Sequence, residues 1–549
     1  MKKNIFSPSF ISSLIIFLIL DIFFVKYHEL DKYGINTGTI AFFTTAQKYI
    51  RGDFYNAVVG GFGPLTSWLL IPFFKLGLAP KFALCVMNLI IGLLILIGAR
   101  ALSYRFELTE NIRNIISFTA VPIVLNFTLT EHIPDLLVVC AVVYYLNIIF
   151  NTDYPDKASN GIMCGIIGGL GYLGKAFMFP FFISHFLLFN ILHYFRIKEK
   201  GKIILRNAIL GILLFSILSG TWIIMLSNKY HKITFDISGT YNHRIIGPEV
   251  KKISKFDGWE GWRNYIRMGH PVYDQGFFPP PNETALSIWE DFVLLTPYLK
   301  PWSPLASWDS FKYQIKIIVK NIYYTIGIFE TYFSVFSGII ILGYILLYVL
   351  PLSPLILRND RLYPLITMSL YCGGYILVYP TIRYLWVNNI LILLMGAHLL
   401  NVFLQSDFFN NTRKNVLIIF FVISFAALPL RDNVIGMQNY DKDFGMLTKK
   451  LEKYSILSAK KIASNDKFSE TLKLLFYSNI ITNYYGQAKE NIRDEGLENE
   501  LKKYNIDYYF VWDEPVIKEP PQFLHNYREI TNGEISGLKI YSLKEQKDN

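Results

Sequence analysis

Two basic residues stand at the ends of long apolar runs, where a charge is expensive: Lys175 in Gly-Tyr-Leu-Gly-Lys-Ala-Phe and Arg383 in Tyr-Pro-Thr-Ile-Arg-Tyr. A cation in such a place must reach water along its own stem, pair with an acid, or hold an anion. As headgroup anchors the two do the first. As ligands of a phosphate or pyrophosphate group they do the last, the arginine as a bidentate fork and the lysine as a point contact. Acids that can meet them lie in Thr128-Leu-Thr-Glu-His-Ile-Pro-Asp135, which sets Glu131, His132 and Asp135 in one short connection, with Asp135 opening a further apolar run. An aspartate at a helix start often only accepts free backbone N–H groups. Beside two cations, the same carboxylates pair with them or orient a substrate hydroxyl. Glu29 and Asp31, just after the first apolar run, are placed either to deprotonate an acceptor hydroxyl or to face water in a turn. His270 and Asp274 are weaker candidates, since a histidine among many aromatics more often packs than catalyses.

The elements that must position these groups are membrane-spanning helices. Of 549 residues, 52% are hydrophobic, 16% aromatic and 17% charged, with a mean hydropathy of +0.33. A soluble domain carries about 25% charged residues, so the deficit favours a lipid solvent. Apolar stretches of crossing length fall near 8–26, 82–102, 112–129, 134–151, 160–178, 178–195, 205–227, 336–357, 362–380, 383–404 and 414–430, which makes about eleven spans. The first follows Lys2 and Lys3 but has no small-residue cleavage site, so it reads as a span and not a removed signal. Leu65 to Leu78 is apolar and aromatic but short, and is punctuated by Pro64, Pro72 and Pro80; it reads as a helix in or dipping into the interface.

Eleven spans, starting from the inside, put the basic connections on one side: Arg100, Arg105 and Arg113; Lys157; Arg196 through Arg206; Arg358 and Arg361; Arg413 and Lys414. This is the positive-inside pattern, and it accounts for the formal charge of +11 without any need for nucleic acid. Cys85, Cys140, Cys164 and Cys372 all lie in apolar runs with no CxxC, and read as packing residues.

Three long polar segments, 27–81, 228–335 and 431–549, then face the other side. The first holds an amphipathic helix from Thr39 to Arg51, ending at Gly52-Asp53. The second is rich in Trp, Pro and Tyr, and its last stretch, Phe311 to Tyr332, spaces apolar and basic residues like a helix resting on a membrane surface. The third reads as a small α/β domain, with strands at Lys461–Ser464 and Ile506–Trp512 and helices at Phe468–Leu475 and Asp494–Tyr504. The transmembrane domain therefore runs over 1–430 and the small domain over 431–549. No P-loop, GxGxxG, internal repeat or inverted pair of broken helices is present.

The order of these features carries a resemblance. After the first span come Gly52-Asp53-Phe54, Gly63-Pro64-Leu65 opening an aromatic helix, and Pro134-Asp135-Leu136-Leu137 opening a span. Gly161, Gly165, Gly169 and Gly174-Lys175 follow, and then Arg383-Tyr384-Leu385. This resembles the GT-C membrane glycosyltransferases, in the branch of the protein O-mannosyltransferases and the bacterial aminoarabinose lipid A transferase. The likeness covers residues 10–225 well and 360–405 loosely.

The resemblance implies an enzyme that moves a sugar from a polyprenyl-phosphate donor to a lipid, glycan or protein acceptor at the non-cytoplasmic face of a bacterial inner membrane. It further implies that Lys175, Arg383 and Tyr384 hold the donor phosphate, that no redox cofactor is needed, and that a divalent metal is an option without an evident acid cluster. In the family an acid at the start of the first outer helix serves as base. Here that stretch is Asn36-Thr37-Gly38-Thr39, which leaves Asp31 as a displaced substitute or Asp135, with Glu131 beside it, as the working acid. Two other readings stand beside this one: a flippase for a lipid-linked sugar, and a relative that has lost its activity.

Overall fold

A helix stands at each of the eleven expected spans, that at 336–357 being described only as far as 348, in the structure, a computed structural model that describes residues 5–130, 133–248, 276–348, 360–435, 442–451, 454, 461–465, 467–478, 482–488, 494–512 and 521–546. In chain order the main helices are α1 (Pro8–Tyr27), α2 (Thr37–Arg51), α3 (Leu65–Lys75), α4 (Pro80–Ser103), α5 (Glu110–Thr128), α6 (Ile133–Ile149), α7 (Ala158–Gly174), α8 (Met178–Arg196) and α9 (Gly201–Tyr230). The second polar segment ends in α10 (Trp308–Ile328), and after it come α11 (Ser337–Tyr348), α12 (Tyr363–Ile376), α13 (Trp386–Gln405) and α14 (Asn411–Ile435). The architecture is that of a multi-pass membrane protein.

Among the described residues, six helices are long and apolar enough to cross a bilayer by length and composition, and α10 with its continuation to Phe333 turns 110° into α11. Helices α6, α7 and α12 have 17, 17 and 14 residues, fewer than the roughly 20 a crossing takes. All three have an end close to where Asp135, Lys175 and Arg383 meet. Helix α3 has 11 residues and is too short to span.

Local sequence explains the helix that opens the first polar segment. Asn36 caps α2 through its side chain, which accepts from Thr39 N, and Gly52 ends it at φ 81°, a left-handed conformation that suits glycine. The spaced glycines of α7 have a different use. A Cβ on Gly161 would lie 2.3 Å from Asn207 O, and one on Gly165 2.2 Å from Gly211 O. Small residues one turn apart thus let α7 and α9 touch along their backbones, the close approach that helix packing in lipid favours.

The basic connections gather at one end of the bundle. Arg100 and Arg113 bind Glu110, Arg361 binds Glu107 at 2.5 Å, Arg196 binds Asp360 at 2.8 Å, and Lys200 pairs with Asp156. At the other end the polar segments pack together.

A six-stranded sheet lies at that other end, in the order β1-β3-β2-β4-β6-β5, built from β1 (Phe277–Phe278), β2 (Lys461–Ser464), β3 (Asn483–Gln487), β4 (Tyr508–Trp512), β5 (Tyr527–Glu529) and β6 (Leu538–Gln546). Strand β2 is parallel to both β3 and β4, with Ile462 opposite Tyr484 and Tyr508. Two helices, α15 (Phe468–Tyr477) and α16 (Asp494–Lys503), supply the α part. Strand β1 comes from the second polar segment and pairs antiparallel with β3. The sheet unit also docks on α2, where Phe476 stacks on Phe43 at 5.7 Å and Tyr477 OH accepts from Ile35 N.

Candidate functional site

The first turn of a helix favours an acid, and Asp135 occupies that of α6. Its two carboxylate oxygens face two different cations. Lys175 Nζ donates to Oδ1 at 2.5 Å, and Arg383 Nε lies 3.3 Å from Oδ2. Lys175 reaches this position because α7 stops at Gly174: Lys175 is extended, at φ −155° and ψ 129°, while its N–H still closes the last turn onto Gly171 O. Gly63 seats the first polar segment directly on that stop, since a Cβ there would lie 2.2 Å from Leu173 O.

Aromatic rings floor the cluster. Lys175 Nζ sits 3.5 Å from the centroid of Tyr384 and 5.3 Å from that of Tyr375. The two tyrosines stack at 4.9 Å, and Phe177 stacks behind Tyr375 at 3.8 Å. A cation over such faces is held in place without being neutralised. Asp135 is 8% exposed, Lys175 20% and Arg383 36% at the side chain, so the acid is enclosed and the cations are half-buried. Among the described residues, two cations share one carboxylate. Such a group carries the charge to attract an anion.

The other residues singled out from the sequence lie elsewhere. Asp31 pairs with Lys26, just past the end of α1. Glu29 pairs with Lys32 at 3.4 Å. Asn36 spends its side-chain oxygen on capping α2. Glu131, His132, His270 and Asp274 lie outside the described residues.

A second charged cluster at the same end escaped the sequence reading. Lys48 and Glu290 meet at 2.5 Å with side chains 3% and 2% exposed, and Glu290 also accepts from Leu286 N. Next to Glu290, Asp291 accepts from Tyr230 OH at 2.6 Å and from Gly60 N at 3.1 Å, with Lys229 at 3.5 Å. Burial pushes the Asp291 carboxyl above the usual carboxylate range, and Lys229, Tyr230 and Gly60 pull it part of the way back. Lys229 carries the same signal as Lys175, a basic residue closing an apolar run, and so was open to discovery. Among the described residues no three His, Cys, Asp or Glu side chains gather as a metal site.

No family model matches the sequence, and no curated protein does. Solved structures do. The oligosaccharyltransferase of Archaeoglobus fulgidus, crystallised with Zn and sulfate, aligns with 90% of this chain and 67% of its own, at a TM-score of 0.52 and 10% identity. The chain has the GT-C membrane fold. ArnT from Cupriavidus metallidurans is also similar. With undecaprenyl phosphate bound, it aligns with 96% of this chain and 97% of its own at a TM-score of 0.45 and 12% identity; without ligand the TM-score is 0.44. Within the GT-C fold of this chain, the Asp135 cluster and the sheet unit occupy the same end of the bundle.

Proposed function

We propose that this protein is a glycosyltransferase that takes a sugar from a polyprenyl-phosphate donor and transfers it to an acceptor at the non-cytoplasmic face of a bacterial inner membrane. The observation that carries the reading is the meeting of Lys175 and Arg383 on Asp135, with Tyr384 beneath them. Undecaprenyl phosphate, the ligand held by ArnT, has the chemistry such a cluster would receive: one compact anion on an apolar chain.

In this reading the phosphate takes up N–H donors of Lys175 and Arg383. Those donors stabilise the charge that grows on the phosphate as the bond from its oxygen to the sugar breaks. Competition for the same cations loosens Asp135, whose oxygens then face the sugar, where it orients and deprotonates the acceptor hydroxyl. Tyr384 keeps the lysine aimed while this happens. Asp31, held by Lys26, is the alternative base, and Glu131 lies beside Asp135 in sequence. Turnover after chelation tests divalent-metal assistance.

The test is conversion of a radiolabelled polyprenyl-phosphate sugar by purified protein in detergent. Product formation that is lost in Lys175→Ala and Arg383→Ala supports transfer. Movement of donor that requires a sealed bilayer and yields no product would instead mark a flippase. A second reading, an inactive relative, is favoured by the capping asparagine at position 36; donor binding without product in either setting would establish it.

A further inference from the structure

The last four carbonyls of a helix have no partner within it, and at membrane depth an unsatisfied carbonyl is costly. At the end of α12 the supply comes from another helix. Gln314 Nε2, on α10, donates to Leu377 O at 2.9 Å, and Asn321 Nδ2 donates to Ile376 O at 2.8 Å and to Val378 O at 3.1 Å. Both amides are 7% exposed, whereas Ile315, Val319, Ile322 and Ile326 of the same helix are exposed. Positions 314 and 321 are two turns apart and therefore share a face. Apolar side chains there could pack as well, but they would leave three carbonyls without donors.

What this face holds is the chain that leads into the cluster. Tyr375, in the last turn of α12, stacks on Tyr384. Val378 O is bound only five residues before Arg383. The backbone between them thus starts from an anchored point and ends at the guanidinium beside Asp135.

We propose that Gln314 and Asn321 are positioning residues of the phosphate site: by capping α12 they hold Arg383 and Tyr384 toward Lys175 and Asp135. The proposal rests on the reading of Lys175 and Arg383 as donor-phosphate ligands. It makes α10 a working part of the site, although α10 contributes none of its ligands.

The test is binding of a long-chain polyprenyl phosphate to the full-length protein in nanodiscs, with thermal unfolding of each variant alongside. Each of Gln314→Ala and Asn321→Ala removes hydrogen bonds worth about a three-fold change in affinity, and the double variant about ten-fold. Asn321→Gln, which keeps the amide donor, restores binding. Asn207 is the control, because its amide binds the carbonyls of Tyr154, Pro155 and Lys157 at the opposite end of the bundle. Asn207→Ala lowers the unfolding temperature but leaves the affinity as in the wild type. Wild-type affinity in the double variant, or an equal loss in Asn207→Ala, would overturn the proposal while leaving the phosphate reading intact. Wild-type affinity in both Lys175→Ala and Arg383→Ala would remove that reading and this proposal with it.

Discussion

Two charged clusters share the end of the bundle that carries the sheet, and they are built on opposite plans. Around Lys48, Glu290, Asp291 and Lys229 each cation has its own acid, the acids also take backbone or phenol donors, and little is exposed. Around Asp135, among the described residues, two half-buried cations share one acid beside aromatic rings. Matched and enclosed charge holds segments together; unmatched and half-open charge is available to a ligand. Both clusters lie at the same end of the bundle, so it is the stoichiometry of charge that sets the proposed binding cluster apart.

The strongest way to break this contrast is to unpair the closed cluster. Glu290→Ala leaves Lys48 buried without its counter-charge, which should destabilise the protein by about 3–5 kcal/mol, read as a large fall in unfolding temperature in detergent. A fall no larger than that of an exposed pair would show that the cluster is open after all. Gly63→Ala comes next: its new Cβ must displace Leu173 O, at a cost of about 1–3 kcal/mol, with the stop before Lys175 disturbed and donor binding weakened in step.

The open cluster should behave in reverse. Arg383→Ala removes one charge-assisted contact, for an expected loss in phosphate affinity of about ten- to a hundred-fold. Its unfolding temperature should change little, because Lys175 still holds Asp135. Equal damage to stability in Arg383→Ala and Glu290→Ala would erase the distinction. Asp135→Asn should bind donor yet give no product, while Asp31→Asn, which breaks a pair whose lysine is exposed, should alter stability by only about 0–1 kcal/mol and leave turnover near wild type. The opposite result in a turnover assay would transfer the base to Asp31.

Much of this contrast is legible in the sequence alone. A cation that ends an apolar run is anomalous in any sequence, which is how Lys175 and Arg383 stand out, and the acids near them are visible as carboxylates that either pair or catalyse. The helices are legible because apolar runs of crossing length have few alternatives, and β2 and β4 because short apolar strands lie between polar turns. Lys48 and Glu290 are not, since nothing in either neighbourhood signals a partner 242 positions away. Strand β1 is hidden for the same reason: two phenylalanines among prolines become a strand only when β3 offers an edge. The amides of Gln314 and Asn321 read as ordinary polar residues of a surface helix until the carbonyls they cap are known.

Strand β1 has one more consequence. The edge of β3 that it covers is synthesised about two hundred residues after β1. Until the C-terminal residues arrive, Phe277 and Phe278 have no ladder to join, and a chain cut after α14 never provides one. Shortening this protein to its helical bundle would therefore leave Phe277 and Phe278 as an unpaired apolar backbone segment, open to pairing with another chain.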